Sequence, residues 1–327
     1  MKALLERYAL KLWYGNQSPA WPWQGLAALH RRLKQGQWAR PAAAPPVPVI
    51  VVGNLTVGGN GKTPMVLALS RHLVSHSLKV GILCRGVGGR CHARPHRVSA
   101  SDSITEVGDE ALLLARQSGV PVWVGRSRGE SLSAAIAAGA EIVISDDGLQ
   151  HQALPRSFEI CMVDGERGFG NGQLLPAGPL RQPVDRLATV DLVVTLGGQA
   201  PLVEGVHWPV TISALRRLHD GERQALDALR GQTVTAVCAI GNPQRFAHDL
   251  EAQGLIVNLR AFPDHHGFVR DDIERLPGPV LITEKDAVKL EPLTGRQDVW
   301  VAEQGLDLPS EVAERVQAHL ASFDRLL

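Results

Sequence analysis

The sequence predicts an α/β fold: a mostly parallel sheet covered by helices on both faces, followed by a second, smaller α/β unit. Three observations carry this. Short apolar runs alternate with helical patterns along most of the chain, and such alternation builds parallel sheets from crossover units. One apolar run opens into "VIVVGNLTVGGNGKTPMVLAL", Val49 to Leu69, a strand, a glycine-rich loop and a helix in succession. Another ends in the acidic pair Asp146 and Asp147, at the strand end where open α/β sheets bind ligands.

The first forty residues stand apart from this pattern. Met1, Leu4, Leu5, Tyr8, Ala9 and Leu12 fall on one arc of a helix, with Lys2, Glu6, Arg7 and Lys11 outside it. Leu26, Leu29, His30 and Leu33 repeat the spacing beside Arg31, Arg32 and Lys34, and Trp13, Tyr14, Trp21 and Trp23 lie between. Residues 1–40 hold seven cations against one anion, a net of +6, while the rest of the chain carries −5. An amphipathic basic helix with interfacial aromatics suits a lipid headgroup layer. Plain packing on the protein body fits the same residues, and the sequence does not choose. No apolar stretch is long enough to span a bilayer, and charges interrupt any signal-peptide pattern. The uneven charge points to a local anionic partner, not to a nucleic-acid-binding protein.

After the joint "RPAAAPPVP", strands are expected over Val49–Val52, Val80–Cys84, Val120–Val124, Glu141–Ser145, Phe158–Val163 and Asp191–Leu196, with helices over Pro64–Ser75, Asp109–Gln117 and Gly129–Ala138. The second unit follows "VHWPVTIS": strands over Thr233–Ile240, Leu255–Phe262, Val280–Thr283 and Val299–Ala302, a helix over Pro243–Gln253, and a closing helix over Ser310–Phe323. The chain of 327 residues is long enough to bury such cores, and 44% hydrophobic with 20% charged residues is ordinary for a globular enzyme. Cys84, Cys91, Cys161 and Cys238 include no C-x-x-C pair and read as reduced thiols of a cytoplasmic chain. The spacing of Cys84, Cys91, His92 and His96 fits no common zinc finger.

In "GNLTVGGNGKT", Gly58, Gly59 and Gly61 let backbone N–H groups turn toward one point, Lys62 reaches β- and γ-phosphates, and Thr63 offers a hydroxyl to Mg²⁺. Thr56 stands where the usual P-loop has its first glycine. Such a loop needs a carboxylate for its metal: Asp146 is the expected metal ligand, with Asp147 beside it. Asp109 and Glu110 open a helix, and on local grounds read as first-turn residues favoured by the helix dipole. Arg181 sits in the Pro/Gly-fixed loop "LLPAGPLRQP". Asp264, His265 and His266 follow a strand, where a histidine beside a carboxylate either moves protons or is structural. Thr283, Lys285 and Asp286 end another strand, as a held base or a surface ion pair.

Seven motifs, "GNLTVGGNGKTP", "CRGVGGR", "GDE", "SDDGLQH", "LLPAGPLR", "FPDHHGF" and "TEKDAVKL", occur in an order that closely resembles the tetraacyldisaccharide 4′-kinases, which phosphorylate a membrane-embedded disaccharide of the lipid A route with ATP. The resemblance covers nearly the whole chain. It implies a P-loop NTPase-like, three-layer α/β/α core with a second, smaller α/β/α lobe joined by short β segments. The expected divisions are 1–40 for a membrane-surface segment, 41–213 for the core and 214–327 for the smaller lobe. Thr56 becomes an expected variant of the P-loop. The resemblance further implies that Thr56, Gly58, Gly59, Asn60, Gly61, Lys62 and Thr63, with Thr283, Lys285 and Asp286, hold ATP. Thr63, Glu110, Asp146 and Asp147 lie near Mg²⁺. Asp109 is implied as the base for the 4′-hydroxyl, tuned by His265, and Arg128, Gln150, His151 and Arg181 as phosphate or substrate contacts. Its implied setting is peripheral, on the anionic cytoplasmic face of the bacterial inner membrane, without an obligate protein partner. Two departures are visible: Asn60 replaces a commoner Thr, and Gln182 follows Arg181 where the family usually has Glu. The rival readings are a regulatory or assembly NTPase, which would want a lysine where Val57 stands, and a nucleotide-binding protein without turnover.

Overall fold

The apolar runs assemble into two sheets. The computed structural model describes residues 2–15, 18–35, 44–90 and 93–323, with side chains from Tyr8 onward. Met1, Cys91, His92, residues 36–43 with the start of the joint, and the side chains of residues 2–7, Leu4 and Leu5 among them, therefore lie outside the described residues. Two helices, α1 (Lys2–Tyr14) and α2 (Trp21–Lys34), come first. The first sheet contains β1 (Val49–Gly53), β2 (Val80–Cys84), β3 (His96–Arg97), β4 (Val122–Val124), β5 (Ile142–Asp146), β6 (Phe158–Asp164), β7 (Leu192–Leu196) and β8 (Val206–Trp208). Their order is β3-β4-β2-β5-β1-β6-β7-β8, parallel throughout except where β3 meets β4. Helices α3 (Lys62–Ser75), α4 (Ile104–Val107), α5 (Asp109–Gln117) and α6 (Arg128–Ala137) lie between these strands in the chain.

The second sheet has β9 (Ile212–Arg217), β10 (Arg223–Gln224), β11 (Thr233–Cys238), β12 (Ile256–Ala261), β13 (Val280–Thr283) and β14 (Val299–Gln304), in the order β10-β9-β14-β13-β11-β12. With it come α7 (Pro243–Ala252), α8 (Asp271–Glu274) and α9 (Glu284–Leu290); α10 (Ser310–Phe323) ends the described chain.

Burial explains the continuous apolar strands. In β1, Ile50 and Val52 enter one core while Val49 and Val51 enter the core on the opposite face, as expected of a sheet covered on both sides. The central pairing of β1 with β5 and β6 sets Val52 beside Asp146, so the glycine-rich loop and the acidic pair leave the sheet side by side.

Three differences from expectation have physical causes. The closing helix α10 does not cap the second sheet: its i, i+4 pair Val312 and Val316 is fully buried in a core of the first. The short α9 is not among the expected helices: it has only seven residues and follows the strand without a break, Thr283 both ending β13 and capping α9, its Oγ1 accepting from Asp286 N at 3.3 Å. The strand β9, with Arg216 and Arg217, lacks an apolar run and forms by antiparallel pairing with β14.

The chain crosses between the sheets twice, between β8 and β9 and between β14 and α10. Across the gap, α5 meets α9: Gln117 Nε2 donates to Glu284 Oε1 at 2.9 Å, and Arg116 pairs with Glu291 at 2.9 Å. At the N-terminus, α2 turns Trp23 and Ala27 onto the body. It leaves Trp21, Leu26, Leu29 and Leu33 exposed beside Arg31, Arg32 and Lys34. No helix among the described residues is long and apolar enough to cross a membrane.

Candidate active site

The glycine-rich loop takes its shape from within. Gly61 caps α3 at φ +79°, where a Cβ would run into Leu196, so both the left-handed backbone and the close approach demand glycine. Thr56 is buried, and its Oγ1 accepts a hydrogen bond from Asn60 Nδ2 at 2.5 Å. Thr56 also bridges Leu180, while Val57 N donates to Pro179 O at 2.8 Å and Arg181 N to Leu55 O at 2.7 Å. The side chain of Thr56 is thus spent on the loop itself and does not line the cleft. Lys62 Nζ, at the start of α3, reaches Asn54 Oδ1 (3.3 Å), Gly58 O (3.4 Å) and Asp147 Oδ1 (3.7 Å).

Between the lobes lies a cleft of about 1020 Å³, counting its solvent-open part, of the size that takes a nucleotide. One wall is Gly59 to Pro64 with Glu110; the other is Ile240 to Asn242, Arg245 and Thr283 to Lys285. Asp286 is not part of it. Wholly buried, it accepts from Ala239 N (3.0 Å) and Thr283 Oγ1 (2.7 Å), so it braces the strand end from behind. The expectation that it touches nucleotide is corrected accordingly.

Asp146 ends β5 with its Oδ1 buried and without a hydrogen-bond partner. Burial, then the charges of Glu110 and Asp147, push its carboxyl up to about 7, against the pull of Lys62 and Arg128. Asp147 behaves oppositely. Burial would raise it, but Lys62 and Arg181 hold it well below the usual carboxylate range; Arg181 grips both oxygens, at 2.9 and 3.1 Å. Glu110 pairs with Lys285 at 3.2 Å, and Lys285 also with Asp264 at 3.2 Å.

Asp109, one residue before Glu110, is 3% exposed. His265 Nδ1 lies 3.0 Å from its Oδ2 and Lys289 Nζ 3.1 Å from the same atom. Burial would raise its pKa; the His265 hydrogen bond and the charges of Lys285 and Lys289 overcome it and hold the carboxyl far below its ordinary value. The bond to Asp109 in turn raises His265, against burial. Asp147 and His265 have φ of +49° and +60°, the left-handed region that Asp and His enter more readily than most side chains and where functional sites store strain. His266 points elsewhere, to Asp272 at 3.1 Å, stacked on Phe262.

A third group lies beside Asp147. Arg128 is buried at the start of α6, with Nη2 donating to Asp146 O at 3.1 Å and Nη1 unpartnered. Gln150 Nε2 donates to Asn54 O (2.8 Å) and to Gln182 Oε1 (3.3 Å), leaving its own Oε1 unpartnered, as is His151 Nδ1. The departure at Gln182 therefore leaves a neutral, buried acceptor where a carboxylate would have placed a charge.

The structure brings together all the expected positions except the side chains of Thr56 and Asp286. Sequence reading missed Lys289, Asn54 and the second-lobe wall Gly241, Asn242 and Arg245. The last had a signal: "GNP" follows the strand Thr233–Cys238 and opens α7, so it sits at a strand's carboxyl end.

A profile of the tetraacyldisaccharide-1-P 4′-kinase family matches residues 19–321. The tetraacyldisaccharide 4′-kinase of Methylobacillus flagellatus is 42% identical over 325 residues, 96% of each chain. That of Alcanivorax borkumensis is 44% identical over 296 residues, 88% of this chain and 90% of that one. Among solved structures, an "apo" form of LpxK from Aquifex aeolicus in complex with ATP matches with a TM-score of 0.68 and 25% identity, over 98% of this chain and 99% of that one. Similar to its relatives from end to end and matched by the family profile over residues 19–321, the chain is a kinase and belongs to the tetraacyldisaccharide-1-P 4′-kinase family.

Proposed function

We propose that the protein transfers the γ-phosphoryl group of ATP directly to the 4′-hydroxyl of a tetraacylated glucosamine disaccharide 1-phosphate, forming the 4′-phosphate of the lipid A route. The carrying observation is Asp109: a buried carboxylate held between His265 and Lys289, one residue from a Glu that lines the nucleotide cleft. The acceptor oxygen attacks the γ-phosphorus in line as the bond to ADP breaks, and its proton passes to Asp109. A carboxylate this acidic takes the proton late, once the forming O–P bond has made the hydroxyl acidic. Lys62 exchanges Asn54 and Gly58 for phosphate oxygens, and Arg128, Gln150, His151 and Arg181 face the acceptor or its phosphate.

The residues also fit Mg²⁺. Asp146 offers a buried, unpartnered oxygen that feels the charge of Glu110, which lines the cleft with Thr63, and its raised pKa marks a site that wants a cation. No group of three or more His, Cys, Asp or Glu makes a ready cage among the described residues. The fit is therefore to an ion that uses one or two carboxylates and completes its shell with phosphate and water. When bound, Mg²⁺ neutralises phosphate charge as it develops.

The exposed face of Trp21, Leu26, Leu29 and Leu33, bordered by cations, supports peripheral attachment to an anionic bilayer, the cytoplasmic face of the inner membrane. The domain reading is a core of about 41–213 and a lobe from 214 to the end of β14, with α10 returned to the core. The test is incubation of the purified protein with γ-labelled ATP and a panel of glycolipid acceptors. Label should enter the disaccharide at the 4′ position, and Asp109→Asn should abolish transfer while ATP still binds. Label trapped on an aspartate of the protein would refute direct transfer.

A further inference from the structure

One loop, residues 165–180, touches three parts of the molecule that are far apart in sequence. Its first contact is the end of α1. Trp13 Nε1 donates to Pro176 O at 3.0 Å, Asn171 N to Trp13 O at 2.8 Å, and Asn171 Nδ2 to Leu12 O at 3.2 Å. Gly170, at φ +58°, passes so close that a Cβ would lie 2.6 Å from Trp13 O. The second contact is the nucleotide loop, through Pro179 O to Val57 N and the Leu180 bridge to Thr56. The third is the far wall of the cleft, where Arg167 Nη1 donates to Gly241 O.

Arg167 joins the first contact to the third. Its guanidinium lies 5.0 Å from the centre of the Tyr14 ring, a cation–π distance. Its backbone N donates to Asp164 Oδ1 at 3.0 Å, and the other oxygen of Asp164 holds Asn242 (3.1 Å) and Arg245 (3.0 Å), both cleft residues. Gly241 faces the nucleotide loop with no side chain between: a Cβ there would run into Gly59 N. The spacing of the two walls at that point is set by backbone against backbone, and Arg167 holds one of the two backbones.

We propose that Arg167 is a positioning residue that ties the end of α1 to the nucleotide cleft, so that Tyr14, on the N-terminal helix, helps to set ATP affinity. The aromatic face orients the guanidinium, and the guanidinium fixes the carbonyl of the Gly241 turn. The N-terminal helix is then a working part of the nucleotide site as well as an attachment. This rests on the assignment of the cleft to ATP, which the wild-type protein tests separately by binding the probe at all.

The measurement is the Kd of the full-length protein for a non-hydrolysable ATP analogue, AMP-PNP, by calorimetry, together with KM for ATP and kcat. Tyr14→Leu and Arg167→Met should each raise Kd and KM about three- to tenfold, with kcat within twofold of wild type. Tyr14→Phe, which keeps the ring, should bind as wild type does; a merely space-filling role would be served by leucine. The double variant Tyr14→Leu/Arg167→Met should be no worse than either single one, as expected of residues acting through one contact. A wild-type Kd in Tyr14→Leu overturns the proposal, as do effects that multiply in the double variant. Should Tyr14→Leu fail to fold, the same Kd in Arg167→Met as in wild type overturns it equally.

Discussion

Replacing Lys289 by Met should unsettle the centre of the site more than any surface change. Lys289 Nζ lies 3.1 Å from Asp109 and 3.5 Å from Asp286, with side-chain exposures of 7%, 4% and 0% for the three residues. At an effective dielectric of 20, the pair at 3.1 Å attracts by about 5 kcal/mol, against which stands the cost of burying the lysine. Removing one member of a buried pair leaves its partners unneutralised, and such breaks cost about 3–5 kcal/mol. Asp286 keeps Ala239 N and Thr283, and Asp109 keeps His265, so the lower end of that range is expected. Methionine retains a stem of similar length beside Phe268, over which the lysine ammonium sits at 5.8 Å from the ring centre, so the loss reports charge more than packing. The assay is urea unfolding near pH 7.5, followed by tryptophan fluorescence, with Trp300 reporting on the second lobe. Adding Asp109→Asn to Lys289→Met should recover at least about 1 kcal/mol of the loss, since one unneutralised charge disappears with it. A loss below about 1 kcal/mol for Lys289→Met, or strict additivity in the double variant, would refute the account of Asp109 as a carboxylate held from the second lobe.

Three further outcomes follow from the geometry. Thr56→Gly restores the usual P-loop glycine yet should weaken nucleotide binding about fivefold, because the Thr56 to Asn60 hydrogen bond, worth about 1 kcal/mol, is lost; an AMP-PNP titration reads it. Gly241→Ala places a methyl against Gly59 N and should raise KM for ATP at least tenfold, with the unfolding midpoint barely changed. Burial pushes Asp249 up to about 6 in the folded protein, against the pull of Arg245. Its folded form therefore holds a proton more tightly than the unfolded chain, and the charge costs stability as pH rises from about 4 through 6. Asp249→Asn should then stabilise the protein at pH 8, by at most about 2–3 kcal/mol because the group is partly open to solvent. That gain should vanish below about pH 4 in a series of thermal melts.

What the sequence made legible follows a physical line. The central strands of the first sheet, such as β1, β2 and β5, are buried on both faces, so each is a largely apolar run that reads without knowledge of its neighbours, whereas the edge strand β3, His96–Arg97, is not fully buried and carries no such run. β9 is a strand because β14 lies beside it, and nothing in "ISALRR" alone announces that. The stripe of α10 was visible, but a stripe says that a helix packs, not on what. Val312 and Val316 would suit either lobe, and the connection after β14 brought them back to the first.

The same line runs through the site. Residues whose chemistry is local declare themselves by type and spacing: Gly61 and Lys62 because a phosphate loop needs them on one strand-to-helix turn, the Asp146–Asp147 pair because it ends an apolar strand. Residues that act by meeting something distant do not. Asp109 reads in isolation as a helix-dipole residue, and only the approach of α9 and of the loop after β12 sets it between Lys289 and His265. Asp286 makes the opposite case: its motif suggested a ligand contact, yet the acid serves the strand end behind the cleft. Thr56 lies between the two. As a missing glycine it looks like a defect, and in the structure its hydroxyl replaces glycine's freedom with a fixed bond to Asn60. A loop shaped by such side-chain bonds and by the neighbouring 179–181 segment depends less on glycine at its first position, which is why a P-loop without that glycine can still present Lys62 and Thr63 to the cleft.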